Sequence, residues 1–193
     1  MANTLRIIGG KARGRRIQSV PGDATRPITD RAKESLFNIL SNDLPGSVWL
    51  DLFAGTGSVG IEALSRGASF VRFIDMQRLA IETVRANLKS TGLEQAAEVL
   101  RMDAFSFLGR PADRKFDTIF IAPPQYKRLW IKAIQSLDEQ NEWLTENAWV
   151  IVQIHPVEYE ALDLQNLVEF DQRKYGSVLF IFFERIAPET QEI

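Results

Sequence analysis

Three carboxylates stand where they can do chemistry together: Asp51, Asp75 and Asp103, the first two ending apolar runs and the third ending a further strand-like stretch. Val48-Trp49-Leu50 precedes the first, Phe73-Ile74 the second and Ala97-Glu98-Val99-Leu100-Arg101-Met102 the third. A glycine-rich turn follows Asp51, with Gly55, Gly57 and Gly60 spelling a dinucleotide-like fingerprint that is weak evidence by itself. Glycines there let the backbone approach a ligand where a Cβ would collide. Asp51 lies before the glycines, where it would repel a pyrophosphate and hold an ammonium. S-adenosylmethionine has an ammonium and a sulfonium and no phosphate. Asp75 follows Asp51 by 24 residues and suits a bidentate grip on ribose hydroxyls. Asp103 is placed to accept the adenine amine, with Ala104 or Phe105 lining the ring.

The elements needed to hold these groups can be read from periodicity. Strands are expected at 48–52, 73–75, 97–105, 116–121, 148–154, 167–170 and 178–183. Helices are expected after Thr29 or Asp30 as cap, over Ile61–Arg66, from Arg78 to Lys89 and from Arg128 to Glu139. The alternation predicts an α/β chain with a doubly wound, largely parallel sheet. A short turn at Tyr175-Gly176 makes the last two strands antiparallel. The three carboxylates then share the rim where such folds bind ligands.

Composition narrows the chemistry. The chain has 193 residues, 45% of them hydrophobic, enough for one domain with a sizeable core. With no cysteine and one histidine, zinc sites, iron–sulfur clusters and cysteine nucleophiles are excluded, and no metal is expected. No apolar run is long enough to span a membrane, and Met1-Ala2-Asn3-Thr4 lacks a signal peptide's apolar region, so a cytoplasmic location is expected. Charge is unevenly spread. Residues 1–33 hold eight basic side chains against Asp23 and Asp30, a balance of +6 in a chain whose total is −2, leaving −8 for the rest. Leu5–Ile8 and Arg16–Val20 are expected to form a hairpin whose loop presents Lys11, Arg13, Arg15 and Arg16 to phosphates, with Arg26 and Arg31 flanking the next helix cap.

Taken together, Lys11-Ala12-Arg13-Gly14-Arg15-Arg16, Thr25-Arg26-Pro27, Thr29-Asp30-Arg31 and Phe37-Asn38-Ile39-Leu40 resemble the N-terminal signature of the RsmD-type methyltransferases. Asp51-Leu52-Phe53-Ala54-Gly55-Thr56-Gly57 and Gly60 through Ala68 continue the resemblance, which runs to Lys174-Tyr175-Gly176. It implies a Rossmann-like class I methyltransferase: a seven-stranded, mainly parallel sheet with an antiparallel last pair, plus the N-terminal basic β-hairpin. The implied organisation is a hairpin extension over 1–24, a methyltransferase domain over 25–187 and a frayed tail over 188–193. The implied reaction is methylation of the exocyclic N2 of guanine 966 in 16S rRNA during small-subunit assembly, by a monomer using S-adenosylmethionine. The resemblance places the cofactor's methionine part on Asp51, Phe53, Ala54, Gly55, Thr56 and Gly57, its ribose on Asp75 with Met76, and its adenine on Asp103, Ala104 and Phe105.

One motif departs from the family. Where its fourth motif has Asp or Asn, Pro-Pro and an aromatic residue, this chain has Ala122, Pro123-Pro124, Gln125 and then Tyr126. A guanine N2 lone pair is delocalised into the ring, so acceptors for its N–H groups are needed to bring out the attacking geometry. The carbonyls of Ala122 or Pro123 and the Gln125 side chain are the available acceptors, and Tyr126 is the candidate stacking ring for a base taken out of its stack. The missing acid keeps a second reading open, a non-catalytic rRNA-binding assembly factor. A nicotinamide oxidoreductase leaves Asp51 and Pro123-Pro124 unexplained, and a DNA amino-methyltransferase is nearer in chemistry. His155, Trp130, Trp143 and Trp149 are read as structural.

Overall fold

The computed structural model describes residues 5–22 and 28–186. Arg26, the 24/25 boundary and the tail over 188–193 lie outside the described residues. Seven strands form one sheet: β1 (Val48–Asp51), β2 (Phe70–Asp75), β3 (Ala97–Arg101), β4 (Phe116–Ile121), β5 (Leu144–Ile154), β6 (Leu167–Tyr175) and β7 (Val178–Arg185). Their order is β3-β2-β1-β4-β5-β7-β6, with β7 antiparallel to both its neighbours and every other pairing parallel. Five helices accompany them: α1 (Asp30–Ile39), α2 (Ser58–Ser65), α3 (Arg78–Thr91), α4 (Ala104–Leu108) and α5 (Leu129–Glu139).

The strands alternate their side chains between two cores, as the pleat requires. Trp49, Val71, Phe73, Phe120, Ile151 and Phe182 face α1, α2 and α3. Leu50, Ile74, Ile119, Ile121, Val150 and Phe183 face α4 and α5. Helix α1 begins on Thr29, whose hydroxyl accepts from the Ala32 N–H at 3.2 Å, and Phe37 stacks on Trp49 at 5.8 Å. Helix α3 ends where Gly92 turns left-handed. Trp143 is structural, as expected, donating from its indole to the Leu108 carbonyl at 3.1 Å.

Several boundaries differ from the sequence expectation: β2 already begins at Phe70 and α2 at Ser58, and β7 runs on to Arg185. The strand expected over 97–105 stops at Arg101, because Asp103 caps α4 by accepting from the Ser106 N–H at 2.9 Å. Strands β5 and β6 run further than their apolar cores, through Leu144–Asn147 and Asp171–Tyr175. Charged residues on β6 suit an edge strand, which lacks a partner on one side.

The N-terminal segment is built differently from two regular strands. Residues 5–17 fold back on themselves through a single antiparallel bridge between Arg6 and Arg16, supported by Ile7 N–H to Arg15 O and Ile17 N–H to Leu5 O, both 2.9 Å. Leu5, Ile7, Ala12 and Ile17 are buried in the same core as α1 and α2. The segment covers the outer side of α2, which explains why all eight residues of that helix are buried.

Candidate active site

Strand order reverses between β1 and β4, so the chain leaves the sheet in opposite directions there and opens a crevice above the strand ends. The turn after β1 and the segment after β4 flank this crevice. Leu52 N–H still donates to Phe120 O at 3.0 Å, carrying the pairing up to the rim.

Asp51 closes β1 with 2% of its surface exposed. Its carboxylate accepts one hydrogen bond, from the Gly60 N–H at 3.3 Å, and among the described residues it has no ion-pair partner. Burial, joined by the charge of Asp75 and opposed by the Gly60 N–H, pushes its carboxyl up to about 7. A buried carboxylate without a counter-ion fits a ligand that brings an ammonium.

The glycine turn has two structural supports. Gly57 adopts φ 75° as the N-cap of α2 and donates to Ala54 O at 2.7 Å. Gly60 serves packing: a Cβ there would lie 2.4 Å from the Phe73 ring. Its role is close contact of α2 with β2, the third-glycine role of such turns. Ala54 donates to Ile74 O at 2.9 Å, so the turn is bonded to β2 as well as β1.

Asp75 organises the same turn. One oxygen accepts from the Gly55 N–H at 3.0 Å and the other from the Gln77 N–H at 2.8 Å. Each carboxylate oxygen retains acceptor capacity, so these bonds aim the group and leave it able to take hydroxyls. Met76 beside it is exposed. Asp103 sits two residues beyond β3 with one oxygen engaged as the α4 cap. Ala104 is buried. Phe105 lies edge-on to Phe53 at 6.2 Å, and the Lys132 ammonium stands 4.0 Å from the Phe105 ring centre. The sequence-predicted residues from Asp51 to Phe105 therefore gather on one rim.

After β4, Ala122 packs its methyl against the apolar cluster under α1–α3, and Pro123 is buried. Pro124, Gln125 and Tyr126 are exposed, Tyr126 by 67%. Tyr126 has φ 62° and Arg128 φ 53°. His155 is structural, as expected: its Nδ1 accepts from the Val157 N–H at 3.3 Å and caps a short 3-10 turn after β5.

The N-terminal segment runs along α2 from the end beside the glycine turn to the C-terminal end. Lys11 donates its N–H to Ser65 O at 2.8 Å, placing the Gly10–Arg13 loop at the C-terminal end of α2. Lys33 Nζ reaches both Arg6 O, at 2.6 Å, and Ser58 Oγ, at 3.1 Å, so the Arg6–Arg16 bridge lies at the N-terminal end. At 1.5 Å per residue these ends are about 10 Å apart. Lys11, Arg13, Arg16 and Arg31 are exposed, while Arg15 reaches the C-terminal end of α3, donating to Ser90 O at 2.6 Å.

Sequence reasoning missed the residues that fasten this segment to the crevice. Glu62, fully buried, accepts from the N–H groups of Ile8 and Gly9 at 2.9 and 2.7 Å, and pairs with Arg66 and Lys33 at 2.8 and 3.4 Å. Lys33, counted among the basic residues above, is thus 1% exposed and unavailable to phosphate; burial lowers its pKa against the pull of Glu62. Asn87 joins Gln18 to the Thr56 carbonyl of the glycine turn. The one available signal was a polar residue recurring on an otherwise apolar helix face.

Sheet order, helix placement and ligand rim define the class I methyltransferase fold expected from the sequence. The chain belongs to the family described as Conserved hypothetical protein 95, whose model matches residues 5–184, and the resemblance to the RsmD-type methyltransferases holds over the chain. It is 40% identical over 175 residues to YlbH of Bacillus subtilis, a match spanning 89% of this chain and 94% of the relative. It is 38% identical over 151 residues to the Ribosomal RNA small subunit methyltransferase D of Haemophilus influenzae, covering 77% and 78% of the two chains. The solved structure of yhhF from Escherichia coli superposes with a TM-score of 0.85 at 31% identity, covering 96% of this chain and 99% of that one.

Proposed function

We propose that this chain methylates the exocyclic N2 of a guanine in 16S rRNA, guanine 966 in the family pattern, working as a cytoplasmic monomer with S-adenosylmethionine. The observation that carries the reading is Asp51: a buried carboxylate that has no counter-ion among the described residues, set where the glycine turn meets the crevice. Relatives named Ribosomal RNA small subunit methyltransferase D, from Haemophilus influenzae and Escherichia coli, support the ribosomal substrate.

The residues present fit the cofactor. Asp51 takes its ammonium, Phe53 to Gly57 line its methionine part, Asp75 with Met76 takes the ribose, and Asp103, Ala104 and Phe105 receive the adenine. Bound there, the cofactor supplies a methyl group activated by a sulfonium. The carbonyls of Ala122 and Pro123, with the Gln125 side chain, accept the N–H groups of the guanine amine and turn its lone pair outward. Tyr126 offers a face on which the base rests, worth about 1–3 kcal/mol. The methylated amine gives its proton to water, so His155 is not needed as a base. Catalysis by this chain is then positioning and charge complementarity. Lys11, Arg13, Arg15, Arg16, Arg26 and Arg31 contact phosphates of the RNA.

The test is transfer of labelled methyl groups to small ribosomal subunits lacking this modification, with nucleoside analysis of the product. N2-methylguanosine is the expected outcome. Ala122 in place of the acid favours one other reading, a non-catalytic rRNA-binding assembly factor; no transfer alongside normal cofactor binding would select it.

A further inference from the structure

We propose that Glu158 is the positioning residue of the base-receiving loop: its carboxylate fixes the backbone of Tyr126 and thereby aims the Tyr126 ring. The proposal rests on the reading of 122–126 as the loop that receives the base.

Tyr126 and Arg128 are the two non-glycine residues with positive φ among the described residues. Left-handed backbone is strained for a non-glycine residue and persists where the surroundings hold it. Here the holding groups come from the connection that follows β5. Glu158 Oε2 accepts from the Tyr126 N–H at 2.6 Å, and Arg128 pairs with Glu160 at 2.6 Å. Glu158 is itself fixed: its other oxygen accepts from the His155 N–H at 3.2 Å, closing a reciprocal cap with the His155 ring. Strands β4 and β5 are adjacent and parallel, with Ile121 opposite Val152, so the two connections rise side by side from the same rim. The His155 ring flanks the Tyr126 ring at 6.1 Å.

The extra residue gives the clasp its purpose. Gln125 stands between Pro124 and Tyr126, and the left-handed backbone at Tyr126 sets the direction in which its ring leaves the chain. Glu158 takes up the Tyr126 N–H and so holds that direction. A carboxylate on a backbone N–H is short and directional, unlike an exposed ion pair between two flexible side chains.

Glu158→Ala and Glu158→Gln test this. Each is measured for amide hydrogen exchange at Tyr126, affinity for S-adenosylhomocysteine, melting temperature, and methyl-transfer kinetics on unmodified small subunits. In Glu158→Ala, exchange at Tyr126 should accelerate at least tenfold and kcat should fall about tenfold, with cofactor affinity unchanged within twofold. Glu158→Gln, which still presents an acceptor oxygen, should keep kcat within about threefold. Unchanged exchange and rate in Glu158→Ala would overturn the proposal, as would a fall in cofactor affinity and melting temperature in step with the rate. If the wild-type protein transfers no methyl group, the proposed function fails by itself. Exchange at Tyr126 then decides the clasp alone, faster exchange supporting it and unchanged exchange overturning it.

Discussion

Asn87 and Gln18 exchange two hydrogen bonds: the Asn87 carbonyl accepts from the Gln18 N–H at 2.7 Å, and its amide donates to the Gln18 carbonyl at 3.0 Å. The second proton of that amide goes to the Thr56 carbonyl at 2.9 Å. One fully buried side chain therefore fastens the N-terminal segment and the glycine turn to α3. In Asn87→Ala all three backbone groups lose their partner. Net hydrogen-bond values and the penalty for buried unpaired groups together place the cost at about 2–4 kcal/mol. For a chain of this length that lowers the melting temperature by about 5–15 °C. Calorimetry should find this loss together with weaker S-adenosylhomocysteine binding, because Thr56 belongs to the turn proposed to hold the cofactor. A loss of stability without loss of binding would show that Thr56 keeps its place unaided.

Glu62 and Lys33 are both buried, yet their removal should have unequal effects. Glu62 serves two backbone N–H groups, Arg66 and Lys33. Glu62→Ala abandons all of them and leaves the Lys33 ammonium buried near Arg66, a change of about 3–5 kcal/mol. Lys33→Met keeps the volume and removes a charge that burial already disfavours, while Glu62 retains Arg66 and both N–H groups. Denaturant unfolding of the two variants should rank Glu62→Ala well below Lys33→Met. Equal losses would mean that the ion pair, not the backbone grip, is the main contribution.

These two networks mark what the sequence left unread. The sheet was legible because the parallel strands are mostly apolar, with isolated interruptions such as Arg72, Glu98 and Asp117, and Asp51 and Asp75 stood out as residues that end a strand. Asp103 also stood out, but the residues after it carry no breaker, so from sequence the start of α4 reads as strand. Glu62, Asn87 and Lys33 are polar residues on helices, and only their recurrence on apolar faces hints at burial. They are buried because residues 5–20 cover them, and that packing depends on contacts more than fifty residues apart along the chain. Glu158 was invisible for the same reason: its partner, Tyr126, is 32 residues away.

Docking of the N-terminal segment can be broken without touching the crevice. Gly10 has φ 72°, and a Cβ there would sit 1.9 Å from the Ser65 carbonyl oxygen, the group that accepts from the Lys11 N–H. Gly10→Ala adds backbone strain of about 1–2 kcal/mol and forces the loop off the end of α2. Cofactor affinity should stay within twofold, whereas binding to rRNA should weaken and lose part of its salt dependence as the exposed basic groups leave their places. Titrations against unmodified small subunits at several salt concentrations measure this. An unchanged salt slope would remove the segment from the RNA-contacting surface.

As the proposed partner of the cofactor ammonium, Asp51 should make cofactor binding sensitive to pH near neutrality. Its carboxyl in the free protein is pushed up to about 7, above its unfolded value, chiefly by burial and further by Asp75. The folded chain therefore holds this proton through the mildly acidic range, and the stability it contributes is lost as pH rises through about 7. An incoming ammonium favours the ionised form, so binding below pH 7 must expel the proton. Affinity for S-adenosylhomocysteine should then rise about fivefold from pH 6 to 7 and flatten above, with close to one proton released per binding event at pH 6. Asp51→Asn should bind about tenfold or more weakly at pH 7.5, through loss of a charge-assisted contact, and show no such slope. The same variant should melt higher than the wild type at pH 8, because the folded chain no longer confines a charge there. Calorimetric titration in buffers of different ionisation enthalpy reads both proton release and affinity. A flat pH profile in the wild-type protein would mean that Asp51 does not face the ammonium.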